Sequence, residues 1–412
     1  MRAIIETGAA RGCVAAPPSK SCAHRLLIGA ALAAGESRID GVAMSQDILA
    51  TMDCVRTLGA EVREENGRLW VKGCGGRPAA GASLPVLPCR ESGSTLRFLI
   101  PTALCAGGGA FRGAERLMAR GVSVYEELLK ERGVAFAVER DALTVSGRLQ
   151  PGLYRLRGDV SSQFISGLLF ALPLLEEDSV IEILPPFESR GYVDMTLEAL
   201  NVFGIRVDRQ EETRFLVPGG QRYQPAQVTV EGDWSQAAFF YGLNALGGQV
   251  NVTGLRADSL QGDRSCERLM KAMTGGSLQA DLSDCPDLAP VLFAVAAGLE
   301  HGAHFTGTRR LAIKESSRAT VMADELSKFG AEISVGENDV KIAPLPLHRP
   351  EEILRGHNDH RVVMALAVLA TRFGGVIDDA QAVSKSYPEF FRDLAALGVQ
   401  VHMEEEKEGE TA

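Results

Sequence analysis

Pro17-Pro-Ser-Lys-Ser-Cys-Ala-His-Arg25, followed by the apolar run Leu26 to Ala34, is the stretch from which the fold of this chain can be read. The prolines fix an extended approach and Ser19 is placed to cap. The run that follows has no polar side, which predicts a helix buried all round and entered through a polar turn. Lys20 and Arg25 crowd that entry beside two hydroxyls. First-turn N–H groups next to two cations outline an anion site. Taken alone, the same residues also describe a capped helix with ordinary surface cations, so the rest of the chain has to decide.

Five more segments repeat the pattern. Ser92-Gly-Ser-Thr95 precedes Leu96 to Cys105, Ser161-Ser-Gln163 precedes Phe164 to Leu175, and Asp233-Trp-Ser235 precedes Ala237 to Leu246. Asp284-Cys-Pro-Asp287 precedes Leu288 to Leu299, and Asn358-Asp-His360 precedes Val362 to Thr371. With Ser21, Ser94, Ser162, Ser235, Asp287 and Asp359 as markers, the pattern returns about every 70 residues, except for a shorter interval between Ser235 and Asp287. Each period also holds a more amphipathic helical segment that stops at a glycine (Gly59, Gly133, Gly204, Gly330, Gly398, and a weaker copy at Met270 to Gly276) and runs into alternating residues. Second alternating stretches such as Arg68 to Lys72 and Ala142 to Ser146 often follow. A period of two helices and several strands is too long for a solenoid turn, so it predicts a small α/β module with its apolar helix inside and its sheet outside.

A chain of 412 residues exceeds what one core usually supports, and six modules divide naturally into three and three. The boundary is expected near Gln224 to Asp233, giving domains of 19–227 and of 1–18 with 228–412. Residues before Pro18 have no module of their own and are expected to join the second half. If the buried helices of a domain run side by side, their positive ends gather, and an interdomain cleft suited to a polyanionic small molecule results.

Composition narrows the function. A formal charge of −10 argues against a non-specific nucleic-acid partner. No run reaches the roughly 18 apolar residues of a membrane span. The eight cysteines show no C-x-x-C spacing and the N-terminus no apolar leader, so reduced thiols and a cytoplasmic location are expected, with an acidic disordered tail over Glu404 to Ala412. Seven scattered histidines give no metal spacing, and neither a P-loop nor a Rossmann fingerprint occurs; no metal and no cofactor are expected. The turns hold cations (Lys20, Arg25, Arg97, Arg120, Lys314, Arg318, Arg361, Lys385), hydroxyls and amides (Ser21, Ser161, Ser162, Gln163, Ser189) and the acids Asp287 and Glu315. In Lys314-Glu-Ser-Ser-Arg318 a helix would put both cations on one face. Acids among cations, without nucleotide or metal signals, point to transfer chemistry on phosphorylated substrates.

With Ser189-Arg-Gly-Tyr192, Pro286-Asp287, Lys314 to Arg318, Asn358 to Arg361 and Lys385-Ser-Tyr-Pro388 added to the turns above, the set spans nearly the whole chain. In that order it resembles the EPSP synthases of the enolpyruvyl transferase family. The resemblance implies an α/β fold of two inside-out, barrel-like domains, each of three βαβαββ units. It implies transfer of the enolpyruvyl group of phosphoenolpyruvate to the 5-hydroxyl of shikimate 3-phosphate, by a monomer. It assigns Lys20, Ser21, Arg25, Ser161, Ser162, Gln163, Ser189, Tyr192, Asp287, Arg310 and Lys314 to shikimate 3-phosphate. Lys20, Gly93, Arg120, Gln163, Arg318, His360, Arg361 and Lys385 go to phosphoenolpyruvate. Asp287 takes the hydroxyl proton, Glu315 protonates the methylene carbon and Lys20 assists. Glu91, Gly121, Gly191, Ser317 and Arg310 depart from the usual family residues. The alternatives are the sister reaction on UDP-N-acetylglucosamine, whose Lys-Asn pair and loop cysteine are missing at Lys20-Ser21 and Met118 to Gly121, and a non-catalytic anion binder on the same scaffold.

Overall fold

The computed structural model describes residues 1–78 and 83–405 and divides into two compact units, Pro18–Glu231 and Met1–Pro17 with Gly232–Ala412. In the Pro18–Glu231 unit, three four-stranded sheets share one pattern. Two parallel strands are joined through a buried helix, and a hairpin then adds antiparallel to the second of them. Val86–Arg90 and Gly108–Gly113 flank helix Gly93–Leu104, with Ala142–Ser146 and Ala135–Val138 completing the sheet. Leu153–Arg157 and Ser179–Leu184 flank helix Ser162–Ala171, with Arg214–Val217 and Asp208–Glu211 as the hairpin. In the remaining sheet Glu36–Asp40, Arg68–Lys72 and Glu61–Glu65 take the later places, and the opening strand comes from the far end of the unit: Gln227–Thr229 lies parallel to Glu36–Asp40. That pairing carries the division to Glu231, beyond the expected 227, and at the other end it falls after Pro17.

The second unit varies the theme. Arg11–Ala15 and Gln249–Thr253 pair in parallel, before and after helix Trp234–Ala245, but among the described residues no hairpin of that sheet follows helix Cys266–Gly275. The short interval between Ser235 and Asp287 is this missing hairpin. Leu278–Asp281, Ala303–Thr306, Asp339–Ile342 and Ile333–Val335 form the complete pattern with helix Ala289–Gly298. In the last sheet Arg2–Ile5 lies between Gly375–Ile377 and Val401–Glu404, while Leu354 bridges to Ile377 where an opening strand would stand. The first residues of the chain therefore complete sheets whose other strands lie beyond residue 248.

Burial follows the sequence pattern. Ala23 to Leu32 are all buried, as are all ten residues of Ala289–Gly298 and twelve of the fourteen in His360–Phe373. Helices of the second kind bury one stripe only, as Arg190–Val202 does with Val193, Met195, Thr196, Ala199 and Leu200. Among the described residues no helix is long and apolar enough to cross a membrane.

Two expectations need correction. Lys314 to Ser317 are not helical: a 3-10 turn covers Arg309–Ile313, Lys314 is extended, and the helix begins only at Arg318. Lys314 and Arg318 therefore meet across a turn around Asp287, where ion pairing outweighs the helical propensity of the segment. The acidic tail expected over Glu404 to Ala412 does not include Glu404, which closes a strand; residues 406–412 of that expectation lie outside the described residues.

Candidate active site

In the Pro18–Glu231 unit the helix starts are tied to one another by buried polar contacts. Ser19 caps helix Lys20–Leu32 by accepting from the Cys22 N–H, and Lys20 Nζ reaches Asp47 Oδ2, on helix Gln46–Thr57, at 2.7 Å. One turn further along both helices, His24 Nδ1 lies 2.8 Å from Thr51 Oγ1. Thr51 Oγ1 is 2.7 Å from Thr95 Oγ1, and Thr95 donates to Ser92 Oγ, the cap of helix Gly93–Leu104. The Thr95 proton goes to Ser92 and the Thr51 proton to Thr95 or the Asp47 carbonyl, so His24 Nδ1 is the donor in its pair. Two rungs, Lys20–Asp47 and His24–Thr51, thus set the Lys20 helix in register with its neighbour.

Helix Gly93–Leu104 brings its start to that of Ser162–Ala171. Arg97 Nη1 donates to Gln163 Oε1 at 2.8 Å, and Gln163 Nε2 donates to Ser94 Oγ at 3.0 Å. A Cβ on Gly93 would lie 3.0 Å from Arg97 Nη1 and 3.3 Å from Arg120 Nη1, so two guanidinium groups stand over a helix start with no side chain in between. That is a cradle for an anion. Arg25 is braced against Ser21 O, Tyr192 O and Thr196 Oγ1 at 2.7, 2.9 and 2.8 Å, with its Cζ over the Phe98 ring, 5.1 Å from the centroid. Burial lowers its pKa to about 10, which leaves it charged at neutral pH. Ser189, buried and at φ 55°, precedes the helix that carries Tyr192 and Thr196.

The second unit holds a denser cluster. Arg318, 1% exposed, spreads its guanidinium over three carboxylates: Nη1 to Asp287 Oδ1 at 2.8 Å, Nη2 to Glu315 Oε2 at 2.6 Å, and Nε to Asp359 Oδ2 at 2.9 Å. Lys314 Nζ adds to Asp287 Oδ1 at 3.2 Å and Arg361 Nη2 to Asp287 Oδ2 at 3.1 Å. Burial opposes the charge on Asp287, but Arg361, Lys314 and Arg318 together outweigh it and hold the carboxyl well below its usual range. Burial likewise opposes charge on Asp359, yet Arg318 brings its pKa below normal. On Lys314 burial wins, and the ammonium is lowered. Lys385 Nζ donates to Asn358 O at 2.6 Å, next to Asp359.

The cluster gathers Asp287, Glu315, Lys314, Arg318 and Arg361. Arg310 is turned to the Ser283 carbonyl, and His360 is buried behind the Asp359 cap. In the sequence Asp359 stands out as a repeat marker and within the Asn358 to Arg361 segment but with no role of its own, and Asp47, Thr51 and Thr196, which bond Lys20, His24 and Arg25, do not stand out at all. Asp359 could have been found, since a capping acid between Asn358 and Arg361 faces a first turn that carries cations.

His24 supplies a test of the first unit. Burial, and then Lys20 and Arg25, hold its imidazole well below the usual range. The unfolded chain takes up a proton below about pH 6.5 that the folded chain refuses, so stability present above that pH is lost as pH falls, by up to ~1.4 kcal/mol per pH unit. Urea midpoints at about pH 7.5 and 5.5 should differ more for the wild type than for His24→Gln. Equal differences would show that His24 is not the source.

A family model for EPSP synthase (3-phosphoshikimate 1-carboxyvinyltransferase) matches residues 5–281 and 276–394. A 3-phosphoshikimate 1-carboxyvinyltransferase of Clostridium kluyveri is 40% identical over 417 residues, covering 95% of this chain and 96% of its own. One of Clostridium perfringens (strain ATCC 13124) is 38% identical over 423 residues, covering 96% and 98%. A solved EPSP synthase of Acinetobacter baumannii superposes with a TM-score of 0.80 over 98% of this chain and 100% of that one, at 23% identity, a likeness in fold. Matched by the family model over most of its length and by these relatives almost from end to end, the chain belongs to the EPSP synthase family.

Proposed function

We propose that this protein transfers the enolpyruvyl group of phosphoenolpyruvate to the 5-hydroxyl of shikimate 3-phosphate and releases phosphate. The observation that carries the chemistry is Arg318 holding Asp287 and Glu315 on two arms of one guanidinium, with Lys314 and Arg361 on Asp287. Two acids sharing cations can exchange the roles of base and acid, while the cations take up phosphate and carboxylate charge. In this reading Glu315 gives a proton to the methylene carbon, the 5-hydroxyl oxygen bonds to the adjacent carbon, and the hydroxyl proton passes to Asp287. The resulting tetrahedral ketal then loses phosphate, whose leaving oxygen takes up the proton held by Asp287, and a methyl proton returns to Glu315 as the double bond reforms, so that both acids regain their starting states.

Asp287 with three cations is a weak base. Substrate anions compete for Lys314 and Arg361, and as those cations turn to the substrate the proton affinity of Asp287 rises. The base is thus activated when substrate arrives. On the other unit, Ser21, Arg25, Ser161, Ser162, Gln163, Ser189 and Tyr192 are assigned to shikimate 3-phosphate. The Gly93 cradle with Arg120, together with Lys20, is assigned to phosphoenolpyruvate, as are Arg318, Arg361 and Lys385 of the second unit. The proposal requires both sets to act on one substrate pair. The finer expectations of a monomer in the cytoplasm belong to the same reading, and light scattering at micromolar concentration tests the first.

The deciding assay is phosphate release from phosphoenolpyruvate that depends on shikimate 3-phosphate. Release only with UDP-N-acetylglucosamine, or none despite binding of both substrates, overturns the reading. Gly93→Ala adds a check on the cradle. The atoms nearest a methyl there are guanidinium nitrogens of Arg97 and Arg120, side-chain ends and not backbone, so the fold should survive with a small shift of Arg97 against its bond to Gln163 and a denaturation midpoint nearly unchanged. The KM for phosphoenolpyruvate should rise by about tenfold, one tenfold step being ~1.4 kcal/mol of lost binding. An unchanged KM would remove Gly93 from the anion site.

A further inference from the structure

Glu325 lies two turns along the helix that Arg318 begins, and its side chain is 3% exposed. It accepts from Lys328 Nζ at 2.7 Å, from the backbone N–H of Arg355 at 2.7 Å and from His357 Nε2 at 2.9 Å. A buried carboxylate is kept in a fold only when it is fully paired, and two of these three donors belong to one turn, Arg355 to Asn358. Within that turn His357 and Asn358 both sit in the left-handed region, at φ 52° and 51°. Two successive non-glycine residues there are uncommon, and persist where the surroundings over-determine them. The surroundings are carboxylates: Glu325 holds Arg355 and His357, and Asp379 Oδ2 accepts from Asn358 N at 3.1 Å.

The turn presents two groups to the cluster. Asn358 offers its carbonyl to Lys385, and Asp359, the next residue, receives Arg318 and Ser316 Oγ and caps the helix carrying Arg361. Helix Arg318–Ser327 therefore holds the turn through Glu325 on Arg355 and His357, and the residue just after it through Arg318 on Asp359. We infer that Glu325 is a positioning residue for the phosphoenolpyruvate side of the reaction: it holds the 355–358 turn in its left-handed form, so that Lys385 and Arg361 stand where the substrate's anionic groups arrive. This rests on the function proposed above. Glu325 has no part in the chemical step itself, and the Pro18–Glu231 unit does not enter the argument.

Glu325→Gln removes the charge and turns an amide toward a donor. Amide hydrogen exchange over Arg355 to Asp359, read without substrate, should accelerate at least about tenfold. The KM for phosphoenolpyruvate should rise by about tenfold while that for shikimate 3-phosphate stays within about twofold, and kcat should change less than KM. In the Glu325→Gln background, Asn358→Gly, which takes up the left-handed conformation without side-chain strain, should recover much of the phosphoenolpyruvate KM. If Glu325→Gln does not fold, His357→Gln, which leaves the carboxylate its other donors, should show the same two changes at smaller size. Unchanged exchange overturns the clamp, and faster exchange with an unchanged phosphoenolpyruvate KM, or no recovery with glycine, overturns the positioning role. A wild-type chain inactive with both substrates overturns the proposed function instead, and the exchange experiment still decides whether Glu325 holds the turn.

Discussion

Glu315→Gln is expected to bind both substrates as the wild type does and to lose turnover by roughly 10²–10⁴-fold, the usual contribution of a positioned general acid. Glutamine keeps the length of the side chain and an acceptor oxygen for Arg318 Nη2, now 2.6 Å from Glu315 Oε2, so the cluster should not rearrange. It cannot deliver a proton to carbon. The loss should therefore appear in kcat with KM for each substrate little altered, the pattern of an interaction made only in the transition state. Steady-state kinetics with each substrate varied against saturating partner reads this directly. Turnover within a few-fold of wild type would take Glu315 out of the acid role and leave Lys20 or a water chain to supply the proton.

Arg318→Met carries the largest expected loss of stability, about 3–5 kcal/mol, because it strips a countercharge from a fully buried carboxylate. Asp359 is 0% exposed; without Arg318 it keeps Ser316 Oγ and the Arg361 N–H but no full opposite charge against its two oxygens. The dependence on pH should also change form. In the wild type the Asp359 pKa is depressed, so its contribution to stability is present above the normal carboxylate range, near pH 4, and is lost as pH falls through the lower folded value. With Arg318 gone, burial dominates and raises the folded pKa, so that stability falls as pH rises through it. Urea unfolding at about pH 4 and pH 7 should show the gap between variant and wild type wider at pH 7. A uniform loss at both values would mean that packing, not charge, is what Arg318 supplies. Lysine would not rescue, since one ammonium cannot reach three carboxylates in the plane of a guanidinium.

The repeat was legible because it rests on local physics. Caps, all-apolar helices and glycine stops are each written within a short segment, and Ala289–Gly298 and His360–Phe373 are buried much as their composition demands. Even the one short interval, from Ser235 to Asp287, carried information, since it marks the module that lacks a hairpin. Pairings between distant segments were less accessible. Nothing local to Gln227–Thr229 says that it opens a sheet with Glu36–Asp40, at the other end of the unit, or that Arg2–Ile5 lies between strands from the end of the chain.

The candidate site divides in the same way. Residue types sufficed to name Lys20, Arg25, Arg318, Arg361, Asp287 and Glu315, because cations crowded at helix starts are costly without an anion, and acids placed among them suggest proton transfer beside one. A helix through Lys314 to Arg318 was the wrong local structure, since ion pairing to Asp287, from the turn that opens the same module about 30 residues earlier, overrides propensity. Asp359, Thr51 and Glu325 went unseen as partners for a related reason. Each has an ordinary local role, as cap, helix hydroxyl and helix acid, and becomes specific only through what packs against it. For Pro17 to Arg25, sequence alone determined a capped, buried helix with two cations at its mouth. Which carboxylate Lys20 meets, which hydroxyl His24 binds and which carbonyls brace Arg25 were settled by folding, because Asp47, Thr51 and Tyr192 lie on other helices and only a packed core brings them to this one.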